Sequence, residues 1–173
     1  GATFSKDSGA EFKLTGSSSN GINLTGGILN LQGDSVGDVK FTLSGNNNNG
    51  IYMRTGTVTD NYSEYTISGT ENAGIHIDDQ AGTPTANTVT GSEFTLTGGA
   101  GAKNIGLLVR KGKVSVEAGK FDINSGTHST GIYIHEGATL SGLTNYTNFT
   151  IGSEHSNGIY ISDTGKLDGN IVA

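Results

Sequence analysis

The strongest constraint in this sequence is a degenerate unit that recurs six times along its 173 residues. Each unit has an aromatic-x-aliphatic element, a loop rich in Gly, Ser and Asn, and then a Gly-aliphatic-x-aliphatic element. The first element begins at Phe12, Phe41, Tyr65, Phe94, Phe121 and Phe149, and the second at Gly21, Gly50, Gly74, Gly106, Gly131 and Gly158. Successive glycines of the second element are 29, 24, 32, 25 and 27 residues apart. A period of this length is typical of solenoid proteins.

Both elements are predicted to be short strands, because apolar and other residues alternate within them. A third, weaker element follows at Leu29 and Leu31, Val58, Val114 and Val116, Leu140, and Leu167. In the third unit, residues 80–92 replace this element with a loop around Pro84, the only proline, and we place the strand at Val89.

Three strands and three turns fit into about 27 residues only if each unit is one coil that pairs with the coils above and below it. Crossovers between parallel strands are nearly always right-handed. The sequence therefore predicts an all-β, right-handed parallel β-helix of about six coils that fills residues 1–173 as a single segment. A leucine-rich repeat has a similar period, but its L-x-x-L-x-L-x-x-N pattern and helical return are missing.

Composition limits the possible functions. The chain has 29 glycines and no cysteine, which disfavours long helices and rules out disulfides and thiolate metal sites. Its net charge is -6 with scattered basic residues, so we expect no nucleic acid partner. No apolar run is long enough to cross a membrane, so we expect no membrane insertion by this segment. We also expect no cofactor and no metal.

The repeats NGIYM at Asn49 and NGIYI at Asn157 resemble the passenger domains of type V autotransporters. These are large bacterial adhesins and toxins carried to the cell surface by a membrane barrel, and the resemblance covers about residues 12–173. The giant fusobacterial-type adhesins have similar NGI-containing repeats, and vacuolating-cytotoxin-like passengers are the other candidate branch. The resemblance implies an uncapped segment of a larger passenger at the bacterial surface, with the translocator barrel elsewhere in the protein. Its implied partners are host or bacterial cell-surface glycans or proteins.

Some β-helices are lyases or glycosidases, so a carbohydrate-active enzyme is the alternative function, and a secreted toxin passenger is a third. Sugar chemistry needs paired carboxylates. Adjacent Asp78 and Asp79 should diverge, and Asp60, Asp122 and Asp163 should lie on different coils or faces as surface polar residues. His76 with Asp78, or His135 with Glu136, lacks a recurring nucleophile. We therefore expect no catalytic residues and no enzyme activity.

The exposed x position of the second element provides the candidate binding residues. In stacked coils it forms a column of Asn23, Tyr52, His76, Leu108, Tyr133 and Tyr160. Its rings, from Tyr52, His76, Tyr133 and Tyr160, are the predicted ligand-binding residues, because flat rings can contact sugars or protein surfaces. The alternative is that the column only stabilises the strands. Through His76, ligand binding is expected to respond to pH near six. A basic group of Lys103, Arg110, Lys111 and Lys113 could contact an acidic glycan or be a solvated turn.

Overall fold

The computed structural model describes residues 3–6, 9–80, 87–124, 126–135, 137–144 and 146–168. Within these ranges all regular structure is β-strand, and the strands form three parallel sheets. Sheet 1 contains β1 (Thr3–Lys6), β4 (Ile28–Gln32), β7 (Thr57–Asn61), β10 (Asn87–Thr90), β13 (Lys113–Glu117), β16 (Thr139–Thr144) and β19 (Lys166–Leu167). Sheet 2 contains β2 (Ala10–Leu14), β5 (Val39–Leu43), β8 (Glu64–Ile67), β11 (Glu93–Leu96), β14 (Lys120–Ile123) and β17 (Asn148–Ile151). Sheet 3 contains β3 (Asn20–Leu24), β6 (Asn49–Met53), β9 (Ala73–Asp78), β12 (Ile105–Lys111), β15 (Thr130–Ile134) and β18 (Asn157–Ile161).

The chain visits the three sheets in turn, so each strand pairs with the strand three positions earlier and the one three positions later. This confirms the predicted parallel β-helix, and its right-handed sense rests on the crossover rule. The third predicted element is sheet 1, and Val89 lies in β10 as expected. Pro84 lies outside the described residues. One strand, β1, was not predicted from the sequence. It has four residues, precedes the first recognised unit and pairs with β4.

The core contains one continuous stack of aromatic rings. Phe12, Phe41, Tyr65, Phe94, Phe121 and Phe149 follow one another with ring centroids 4.6–5.0 Å apart and planes within 10° of parallel. The four middle rings of this stack are fully or almost fully buried. The coil spacing alone sets this geometry, because parallel strands pair in register at about 4.8 Å.

The recurring glycine of the second element is explained by this stack. A Cβ atom added at Gly106 would lie 2.7 Å from the carbonyl oxygen of Gly131 and 3.0 Å from the ring of Phe121. Gly50, Gly74 and Gly131 are equally crowded. The repeat therefore pairs an aromatic residue in sheet 2 with a glycine at the start of sheet 3, and the two positions depend on each other.

Candidate ligand-contact face

The outward face of sheet 3 carries the predicted binding column. Register pairs Asn23 with Tyr52, Tyr52 with His76, His76 with Leu108, Leu108 with Tyr133, and Tyr133 with Tyr160. All six side chains are at least partly exposed, and Tyr160 is 45% exposed. The sequence therefore predicted the membership and order of this column correctly. Whether these residues bind a ligand stays a prediction.

The ring residues of the column form two pairs rather than one continuous stack. Tyr52 and His76 meet edge to face with ring centroids 5.0 Å apart, and Tyr133 and Tyr160 do the same at 5.1 Å. Leu108 lies between the pairs and separates them by two coils, about 10 Å. Each pair leaves ring surface facing outward, because edge-to-face packing covers only part of each ring.

Asparagine and serine side chains hold the turn that precedes sheet 3. The backbone N–H of Asn48 donates to Asn72 Oδ1 at 2.8 Å, and that of Asn72 donates to Asn104 Oδ1 at 3.0 Å. Ser129 and Ser156 continue the series by accepting from the residues one coil before them. Each buried asparagine amide also donates to backbone carbonyls, as Asn72 does to Gly45 and Ser68. This polar ladder fixes where every strand of sheet 3 begins.

The residue before each ladder position has a left-handed backbone and an exposed side chain. This turn column consists of Ser18, Asn47, Glu71, Lys103, His128 and His155, with φ between 52° and 65°. None is glycine, and the left-handed conformation costs such residues about 1 kcal/mol or more each. The hydrogen bonds of the ladder offset that cost. The conformation places charged and polar side chains beside the ring column, and His128 stacks on His155 at 5.3 Å.

Grooves on this face lie beside both ring pairs. One, about 380 Å³, is bounded by Tyr133 and Tyr160 on one side and by turn-column residues such as Lys103 and His128 on the other. Another, about 210 Å³, contains Tyr52 and His76. A third, about 230 Å³, lies at the C-terminal ends of β9, β12 and β15 and is lined by Asp78, Gln80, Arg110, Lys111 and His135. The two ring pairs thus occupy separate grooves on one face.

His76 is held in its neutral form. Burial, opposed by the charge of Asp78 and reinforced by the charge of Arg110, lowers the pKa of His76 to about 4. The ring Nδ1 lies 3.2 Å from Asn49 Oδ1, and Asn49 in turn donates to Asn20 Oδ1 at 2.9 Å. The expected pH response near six is therefore wrong for His76, because the group titrates closer to pH 4.

The carboxylates discussed above do not converge. Asp78 is half-buried on the outward face of sheet 3, and its neighbour Asp79 is buried. Asp122 faces outward from sheet 2, where Lys120 binds it at 3.1 Å. Glu136, the suggested partner of His135, lies outside the described residues. No group of three or more His, Asp or Glu side chains that could hold a metal ion occurs in the described ranges.

Asp60 is the exception to the predicted surface location, because its side chain is fully buried in the core. Register places it between Leu31 and Val89, so it occupies an aliphatic position of sheet 1. Ser63 donates to its Oδ1 at 2.5 Å, and Ser92 donates to its Oδ2 at 2.9 Å. Burial raises the pKa of Asp60 to about 6, although these hydrogen bonds oppose the shift.

The hydroxyl of Tyr65 interacts electrostatically with this carboxylate. Burial and the charge of Asp60 raise the pKa of the Tyr65 hydroxyl well above its usual value. The hydroxyl is buried and forms no hydrogen bond with a described residue. The cluster is enclosed in the core, so it contributes to stability rather than to a binding surface.

The predicted basic group separates into three locations. Arg110 and Lys111 share the groove at the strand ends, while Lys103 lies with Glu71 in the groove of about 380 Å³. Lys113 begins β13 in sheet 1 and lines neither groove.

Comparison of the chain with protein-family models, with curated proteins and with solved structures gives no match. Among the described residues, no helix has the length and apolar character needed to span a membrane.

Proposed function

We propose that this chain is a ligand-contact segment of a bacterial surface adhesin, built as a non-catalytic passenger-type β-helix. The main support is that both ring pairs, and the grooves that contain them, lie on the outward face of sheet 3. The segment acts as a stalk that presents this face at the bacterial surface to host or bacterial cell-surface glycans or proteins. A translocator barrel elsewhere in the protein exports it.

Two features favour sugar or protein contact over chemistry on this face. Tyrosine rings combine apolar area with a hydroxyl that can donate and accept hydrogen bonds, which suits them to carbohydrate and protein surfaces. The carboxylates needed for glycoside hydrolysis are distributed over different faces or buried in the core, as Asp122 and Asp60 illustrate.

The test changes the rings without disturbing the core. Tyr52, Tyr133 and Tyr160 are replaced together by Ser, and binding of the purified segment to cells and to a glycan array is compared with wild type. We expect binding to fall about tenfold or more, because buried aromatic contacts dominate such surfaces. Melting temperature is measured alongside, and we expect a change of only a few degrees.

The matched control is the outward column of sheet 2. Thr42, Thr66 and Thr95 pair with one another in register and face away from sheet 3. Their triple replacement by Ala should leave binding unchanged. Unchanged binding of the Tyr variant together with a lowered melting temperature would show that the ring column is structural. Reproducible release of new reducing ends or unsaturated products from polysaccharides would contradict the non-catalytic proposal.

A further inference from the structure

The groove at the strand ends concentrates basic side chains on an otherwise acidic protein. Arg110, Lys111 and His135 line it together with one carboxylate, Asp78. The whole chain carries a net charge of -6, so this local excess of basic groups is not a property of the surface in general.

The strand that supplies Arg110 and Lys111 is irregular at this point. Pairing between β12 and β9 shifts between Val109 and Lys111, which leaves Arg110 at a β-bulge. Bulges re-aim side chains and are common beside functional sites. Both Arg110 and Lys111 are exposed as a result, although strict alternation would place one of them inward.

The acidic residue of the groove does not neutralise the basic ones. Gln80 donates to Asp78 Oδ1 at 2.7 Å, and Lys111 donates to Gln80 Oε1 at 3.2 Å. The amide therefore separates the ammonium group from the carboxylate. No described carboxylate lies within ion-pair distance of Arg110 or Lys111.

The groove adjoins the ring column at Tyr133. The ring of His135 lies 5.8 Å from that of Tyr133, and the charge of Arg110 lowers the pKa of His76 on the neighbouring coil. A ligand that contacts the ring of Tyr133 can therefore place a substituent in the groove.

We propose that Arg110 and Lys111, with His135 beside them, form an anion-binding subsite for the carboxylate or sulfate group of an acidic glycan whose sugar ring contacts Tyr133. This rests on the proposed function, because it names the ligand class for the same face. Arg110 supplies a planar fork of donors that matches two anionic oxygens, and Lys111 supplies a compact positive charge.

The probes are dextran, carboxymethyl-dextran and dextran sulfate, which share one backbone and differ in charge. Wild-type segment should bind at least one charged dextran about tenfold or more tightly than dextran, and high salt should weaken that binding. A preference for carboxymethyl-dextran assigns the subsite to carboxylates, and a preference for dextran sulfate assigns it to sulfates. Either preference supports the proposal.

The double variant Arg110→Gln/Lys111→Gln should lose this preference and bind all three polymers about equally. Lys13→Gln/Lys40→Gln changes the net charge equally on sheet 2 and should bind as wild type does. Equal effects of the two variants, or no preference in wild type for charged dextran, would overturn the subsite. In that case binding of neutral dextran that still depends on Tyr133 would leave the proposed function standing. Absence of binding to all three probes would likewise overturn the subsite, whereas the proposed function is decided separately by the binding of the triple Tyr variant to cells.

Discussion

Asp60 is expected to lower the stability of the β-helix as pH rises from about 4 to 7.5. Its folded pKa of about 6 exceeds the ordinary value of 3.8 expected in the unfolded chain, so the folded state binds the proton more tightly. The stabilisation is complete below pH 3.8 and is lost as pH rises through 6. The shift corresponds to about 3 kcal/mol in total, of which about 1.4 kcal/mol is lost between pH 5 and 7.5.

The wild-type profile alone does not isolate this effect, because His76 acts in the opposite direction. Its folded pKa of about 4 lies below the ordinary histidine value of 6.5, so its contribution to stability is lost as pH falls from 6.5 through 4. The assay is therefore urea unfolding of wild type and Asp60→Asn at pH 5 and pH 7.5, with the difference between the two proteins followed. Relative to the variant, wild type should lose about 1 to 1.5 kcal/mol of unfolding free energy on going to pH 7.5. A difference that does not change with pH would refute the buried, titrating carboxylate.

Three further substitutions test the core and the turns. Phe121→Ala should destabilise the protein by about 3 to 5 kcal/mol in urea unfolding, whereas Thr95→Ala on the outer face should cost less than about 0.5 kcal/mol; equal effects would mean that the strand register is wrong by one residue. Gly106→Ala should cost about 1 to 3 kcal/mol, because its Cβ would lie 2.7 Å from a carbonyl oxygen of the next coil, while Gly99→Ala in open space should not. An unchanged unfolding free energy for Gly106→Ala would contradict the close contact between coils at this position. Asn72→Ala should cost about 2 kcal/mol or more, because it removes the acceptor of the buried Asn48 backbone N–H and the amide that donates to the Gly45 and Ser68 carbonyls. Retained stability would show that the ladder is dispensable.

The repeat and the alternation of residues were sufficient to predict the fold and the outward column of sheet 3. Each step depends only on period and parity: Phe121 and Ile123 face inward because they are two residues apart, and Tyr133 faces outward because it lies between Ile132 and Ile134. Stacking of like residues then follows from in-register parallel pairing. Neither step requires knowledge of side-chain chemistry, and for this reason the prediction succeeded although the repeat is degenerate.

Polar residues inside the coil could not be assigned in the same way. Asn48 and Asn72 lie in loops of otherwise polar sequence, and their burial depends on the path of the turn, which composition does not specify. A usable signal did exist, since each unit has Asn or Ser two residues before its recurring glycine. Asp60 lies two residues after the buried Val58, so parity placed it inward, but its charge favoured a surface interpretation. Its partners Ser63 and Ser92 come from different coils, and only the structure brings them together.

The absence of cysteine from the chain permits a direct test of which face contacts the ligand. Thr95, Leu108 and Ser115 project outward from β11, β12 and β13, three consecutive strands that face three different directions. Each is replaced separately by Cys and coupled to a bulky maleimide polymer, and binding to cells is measured after confirming an unchanged melting temperature. We expect the polymer to block binding when it is attached at Leu108→Cys, and not when it is attached at either of the other two positions. Loss of binding with the polymer at Thr95→Cys or Ser115→Cys, or retained binding with the polymer at Leu108→Cys, would contradict the proposal that sheet 3 contacts the ligand.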